Sequence, residues 1–132
     1  MGRTQRDIEH IQTDEAYESS APLSQAIRHG DTVYVSGNVP VDPETGELVE
    51  GGVGPQTRQV LENVEAILEE AGTSMDNVVR AGVFMTDMDA FGEMNDVYTE
   101  FMSEPHPART AVKAEMANPD IQVEIDVVAA VE

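Results

Sequence analysis

The chain has 132 residues, with 26 acidic against seven basic side chains, a formal net charge of −19 and no cysteine. That length suits one domain, residues 1–132, with a single ordinary core, and the lack of cysteine excludes disulfides, thiolate nucleophiles and zinc–thiolate sites. A surface so negative repels phosphate backbones, and the basic footprint of nucleic-acid binding is missing, Lys113 being the only lysine.

The acid excess reads as a solvated surface adapted to a cytoplasm of very high salt, where molar ions screen nearly all of it; the expectation is a halophilic source. No apolar run approaches the roughly 18–20 residues of a membrane span. The opening MGRTQRDIEHIQ has no apolar signal stretch. Its Met-Gly start carries Arg6 where myristoylation wants Ser or Thr. The expectation is a cytoplasmic protein with neither membrane nor nucleic acid as partner.

In chain order, residues 7–12 and 25–29 read as short strands. Thr32–Ser36 (TVYVS) is β-branched and aromatic, opened by a Gly30-Asp31 turn, and reads as a third. Asp42–Glu47 (DPETGE) is a turn. From Pro55 to Ala71 the spacing becomes helical: Val60, Val64, Ile67, Leu68 and Ala71 form one apolar stripe. Pro55 suits the first turn and Gly72 the position just past the end. Val78–Met85 reads as a strand. Ala90–Met102 reads as a second helix, with Phe91, Met94, Tyr98, Phe101 and Met102 on one face and Asp89 as N-cap. Glu104–Pro107 (EPHP) ends it, and strands follow at 109–116 and 121–131. The order β-β-β-α-β-α-β-β gives an α+β fold, a mixed six-stranded sheet with two helices on one face. Nothing in the chain covers the other face, which suggests self-association through closed symmetry.

Two residues stand out as candidates. Arg109, in Pro107-Ala108-Arg109-Thr110, is either a rim ion-pair partner or a bidentate fork for a carboxylate. Glu124 alternates with apolar residues in the last strand. It is either part of a polar strand face or a group that lies near Arg109 on a neighbouring strand and positions or deprotonates a water. Asp87-x-Asp89-x-x-Gly92 begins like a calcium loop but fails at Phe91 and Tyr98. His10, His29 and His106 are isolated, and no metal site is expected. Ser36-Gly37 lacks the setting of a hydrolase nucleophile, and Gly51–Gly54 lacks the lysine of a P-loop.

Taken in order, several segments resemble those of one family. Ser36-Gly37-Asn38-Val39-Pro40 and the turn Pro43-Glu44-Thr45-Gly46-Glu47 resemble S-G-x-[IV]-P and P-x-T-G-E. Asn63-Val64 through Ile67-Leu68 to Ala71-Gly72 follows a helix signature. Val83-Phe84-Met85-Thr86-Asp87-Met88 to Phe91, then Asn95, Tyr98 and Phe101, follow a strand-to-helix one. Pro107-Ala108-Arg109 and Val123-Glu124-Ile125-Asp126 complete a match over residues 23–131 to the RidA (YjgF-like) family of enamine and imine deaminases. The resemblance implies a homotrimer of barrel-like packed sheets, a fold shared with one type of chorismate mutase, with ligand clefts between subunits. It implies a cofactor-free hydrolysis of small carboxylate-bearing imines or enamines, such as 2-aminoacrylate, to keto acids and ammonia. Arg109 would hold the substrate carboxylate, Glu124 would orient the water, and Asn95, Ser36 and Gly37 would lie in or near the cleft. Two cleft positions depart from the family's common residues: Leu23 replaces a frequent Tyr and Ala111 a frequent Cys. The loop between Asn95 and Arg109 is also shorter.

Overall fold

A row of residues facing one another across six strands organises the molecule: Ile11, Ala26, Val35, Val127, Ala81 and Arg109. The strands of this computed structural model are β1 (Ile8–Ile11), β2 (Ala26–His29), β3 (Thr32–Asn38), β4 (Val78–Met85), β5 (Ala108–Lys113) and β6 (Val123–Ala130). The helices are α1 (Val53–Glu70) and α2 (Phe91–Phe101). The structure describes residues 7–132; Arg6 and the start of the segment weighed above for a leader or acyl signal lie outside the described residues.

The sheet runs β1-β2-β3-β6-β4-β5, antiparallel except for the parallel β4–β5 pair that α2 connects. β6 inserts between β3 and β4, so α1 bridges two strands that are not neighbours. Alternation of side chains along each strand then sorts the residues. Val123, Ile125, Val127 and Ala129 of β6 are buried with Ala81, Val83 and Met85 of β4, under Val60, Leu61, Val64, Ile67 and Leu68 of α1. Both helices contribute to this one core, as expected for the α+β class; the opposite face leaves Tyr34 and Val112 about half exposed, at 49% and 40%.

Local chemistry fixes the ends of the elements. Beyond α1, Gly72 takes φ 88°. Its N–H donates to the Glu69 carbonyl and the Thr73 N–H to the Leu68 carbonyl, the paired bonds of a Schellman stop. The start of α2 differs from the sequence reading. Asp89 is not its cap; Asp87 accepts the Asp89 N–H at 2.9 Å and starts a 3-10 turn, Met88–Ala90, that runs into the helix. The extended backbone at Asp87 leaves its carboxylate free to reach that N–H. β3 runs two residues past Ser36, while the last two strands are shorter than the apolar pattern suggests. Buried Gln56 ties the ends of two loops together: its amide donates to the Val49 and Asp120 carbonyls and accepts from the Gln122 N–H. Gln25 does the same for the segment before β2, bonding to Thr13, Ala16 and Tyr17.

Candidate functional site

Arg109 ends the row that begins at Ile11, so strand parity puts its side chain on the helix-covered face at the edge of the sheet. There α2 presents Phe91, Asn95 and Tyr98, spaced i, i+4 and i+7 on one helical face. Arg109 Nη1 donates to Asn95 Oδ1 at 2.8 Å, and its Cζ lies 4.8 Å from the Tyr98 ring centroid and 5.3 Å from that of Phe91. Burial pushes the Tyr98 phenol pKa up, against the opposing pull of the Arg109 charge. Two aromatic faces and one amide thus hold the guanidinium in a set orientation and leave part of its donor fork free. The cleft over it, of about 320 Å³, is lined by Asn95, Tyr98, Thr99, His106, Pro107 and Arg109. In a chain with 26 acidic residues, none lines this cleft. Among the described residues the one ion pair is Arg58–Glu100, which clamps α1 to α2 at 2.8 Å. The rim ion-pair alternative thus finds no acidic partner for Arg109 among the described residues.

A second cluster forms on the opposite face. Val35 pairs with Val127 and Asn38 with Ile125, three steps on β3 against two on β6, so Ser36 and Gly37 bulge out of the ladder. Ser36 Oγ donates to the Ser24 carbonyl at 2.6 Å, and Asn38 Nδ2 donates back to the Ser36 carbonyl at 2.9 Å. The Glu124 carboxylate lies directly against the bare Cα of Gly37, where any Cβ would collide with Glu124 Oε2. Only glycine leaves the carboxylate in that place; a larger residue would push it aside. Burial raises the Glu124 pKa above the usual carboxylate value, and the Asp126 charge two residues on adds to the rise. Leu23, 49% exposed, directly precedes Ser24 at the margin of this cluster.

The structure thus brings Arg109 together with Asn95 and, on its own strand, with Ala111, which packs against the core. It brings Ser36 and Gly37 together with Glu124, with Leu23 nearby. It does not bring the two groups together. Glu124 pairs with Phe84 on β4, Arg109 pairs with Ala81 on the far edge of β4, and the two side chains point to opposite faces. The expectation that they neighbour each other on adjacent strands fails within one chain, because β4 separates β5 from β6 and the register gives them opposite parity. Phe91 and Tyr98 read in the sequence only as members of one helix face, with no site role, and His106 as an isolated histidine; the i, i+4, i+7 spacing around Asn95 was the available signal. Among the described residues no three His, Asp or Glu side chains converge as a metal site would require.

Residues 13–131 match the family model described as Endoribonuclease L-PSP. The chain belongs to the RidA/YjgF family. It is 44% identical over 121 residues to a RutC family protein of Pyrococcus abyssi, covering 92% of this chain and 95% of that one. It is 38% identical over 119 residues to the 2-iminobutanoate/2-iminopropanoate deaminase of Mus musculus, covering 90% and 88%. Among solved structures, RidA from the Antarctic bacterium Psychrobacter superposes with a TM-score of 0.89 at 42% identity, covering 93% of this chain and 99% of that one. TdcF of E. coli with bound serine superposes at 0.86 and 34%, covering 94% and 99%. The six-stranded mixed sheet with two helices is the RidA/YjgF architecture. No helix among the described residues is long and apolar enough to cross a membrane.

Proposed function

We propose that this RidA/YjgF protein hydrolyses reactive 2-enamine and 2-imine acids, such as 2-aminoacrylate, to 2-keto acids and ammonia, as a homotrimer whose sites lie between subunits. The observation that carries the reading is the split just described: an oriented arginine without an acidic partner in an acid-free cleft on one face, and a half-buried carboxylate over Gly37 on the other. A closed ring of head-to-tail contacts apposes two different faces of neighbouring copies. It would unite Arg109 of one with Glu124 of the next and cover the open sheet face.

The chemistry follows from those groups. The free part of the Arg109 fork takes the substrate carboxylate, and Asn95 holds the fork in place. 2-Aminoacrylate first tautomerises to 2-iminopropanoate. Glu124 then orients a water whose oxygen adds to the imine carbon while protons pass to the nitrogen. The C–N bond of the carbinolamine breaks, ammonia leaves, and pyruvate remains. A substrate this reactive needs positioning and charge stabilisation rather than a cofactor.

Support comes from the deaminase name of the Mus musculus relative and from the serine, an amino acid of similar size, in the TdcF structure. Leu23 and Ala111 favour a second reading, a trimer that binds small carboxylates without turnover, because each lacks the polar atom common at its position. Endoribonuclease activity is disfavoured by the charge of −19. The test is ammonia release from 2-aminoacrylate generated in situ. Acceleration over the spontaneous rate is expected; keto-acid binding without acceleration favours the second reading.

A further inference from the structure

The Arg109 cleft holds one group that the deaminase chemistry leaves unused. His106 lines it beside Arg109, Asn95 and Thr99. Pro105 and Pro107 flank His106 in sequence, and the ring of Pro107 restricts the backbone of His106 to extended conformations. Among the described residues the imidazole makes no hydrogen bond, unlike that of His10, which contacts Gln12 at 3.2 Å. A three-carbon imino acid uses one carboxylate and one imine, and the Arg109 fork and the water position account for both. The cleft, at about 320 Å³, has room beyond a molecule that small. Its lining includes the donors of the Arg109 guanidinium, the His106 imidazole and the Asn95 amide, while the Thr99 hydroxyl is given to the Asp96 carbonyl.

We propose that His106 is a specificity-determining residue, a second anion-recognition point that selects 2-imino acids whose side chain ends in a carboxylate. This rests on the deaminase reading for catalysis but not for binding. The α-carboxylate sits on Arg109 and the distal carboxylate accepts a hydrogen bond from the imidazole. Such a dicarboxylate fits a cleft whose lining from this chain offers two separated donors and no acid, whereas an apolar side chain would make no use of the exposed imidazole. A dicarboxylic imine arises wherever an acidic amino acid is oxidised at its α-carbon, which is the class of reaction that would supply it.

The test uses the intact protein at molar potassium chloride and compares the parent with His106→Ala and His106→Gln. Two imines are generated in situ by amino-acid oxidases: 2-iminopropanoate from alanine and iminosuccinate from aspartate. The ratio of kcat/KM for iminosuccinate over 2-iminopropanoate is expected to fall on the order of tenfold in His106→Ala, equivalent to about 1.4 kcal/mol. It should recover in part in His106→Gln, which keeps a donor. The dissociation constants of the two product keto acids, oxaloacetate and pyruvate, measured by calorimetry, should show the same loss of preference. A ratio unchanged by His106→Ala in both measurements overturns the proposal. If the parent accelerates neither hydrolysis yet binds oxaloacetate more tightly than pyruvate through His106, the deaminase reading fails and the recognition point stands. If the parent binds neither keto acid, both fail.

Discussion

Replacing Gly37 with alanine tests the second cluster with a single methyl group. The Gly37 backbone is not left-handed, so alanine is tolerated conformationally and the effect comes from contact alone. An added Cβ would overlap Glu124 Oε2 and stand 3.0 Å from Cδ and 3.3 Å from Cγ, tighter than ordinary van der Waals contact. Glu124 is a flexible side chain on the open face and can rotate aside, so the fold should hold. The carboxylate must nevertheless move by about 1 Å, and a misplacement of that size in a reacting arrangement costs on the order of 10²-fold in rate. Ammonia release from 2-aminoacrylate is therefore expected to lose about two decades in kcat in Gly37→Ala, with pyruvate binding, which depends on Arg109, largely kept and the thermal midpoint near that of the parent. Parent-level kcat in a folded Gly37→Ala protein would refute the placement of Glu124 at the reacting water.

Three further outcomes follow from the same geometry. Truncating Arg109 to alanine leaves a substrate carboxylate unpaired in a partly enclosed cleft, at a cost of roughly 2–5 kcal/mol. kcat/KM should accordingly fall by on the order of tenfold to several thousandfold, and Arg109→Lys should restore little because a point charge does not reproduce the fork. Burial and then Asp126 raise the Glu124 pKa, so the acidic limb of kcat should lie above the ordinary glutamate value of 4.5, and Asp126→Asn should move it down. The same raised pKa means that the folded state holds this proton more tightly than the unfolded state, so the contribution of Glu124 to stability falls as pH rises through that window; a limb at or below the ordinary value contradicts the assignment. A homotrimer multiplies the charge of −19 threefold to −57. The thermal midpoint should therefore rise steeply from dilute buffer to molar potassium chloride, and a midpoint indifferent to salt would show that the acid excess is not an adaptation to it.

The fold was legible where periodicity carries it. The stripe from Val60 to Ala71 gave α1, Gly72 gave its stop, and alternation from Val123 to Val127 gave the buried face of β6. Strand ends were less legible because pairing, not composition, terminates them: β5 stops at Lys113, the residue paired with Met85 at the end of β4. The cap of α2 was misread because two aspartates, Asp87 and Asp89, compete within one turn, and only backbone conformation decides between them. Site residues were found one at a time from their chemistry and order. Their distribution over two faces was not, since it depends on β4 lying between β5 and β6 and on the register of both pairings, which leave no local mark. The bulge at Ser36-Gly37 is similar: the glycine is visible, but the carboxylate that lies against it is 87 positions away, at Glu124.

The central claim is that one catalytic site draws Arg109 from one copy and Glu124 from another, and mixing two inactive variants tests it directly. Arg109→Ala and Glu124→Gln are each prepared, shown to be folded and nearly inactive, then unfolded together in equal amounts and reassembled at molar potassium chloride. In a cyclic trimer with shared sites, about three-quarters of the randomly mixed assemblies contain both variants, and each of those holds one intact site of three. Ammonia release from 2-aminoacrylate should then return to about one quarter of the parent rate. Activity no greater than the average of the two separate variants, with mixed trimers demonstrably present, would contradict the shared site.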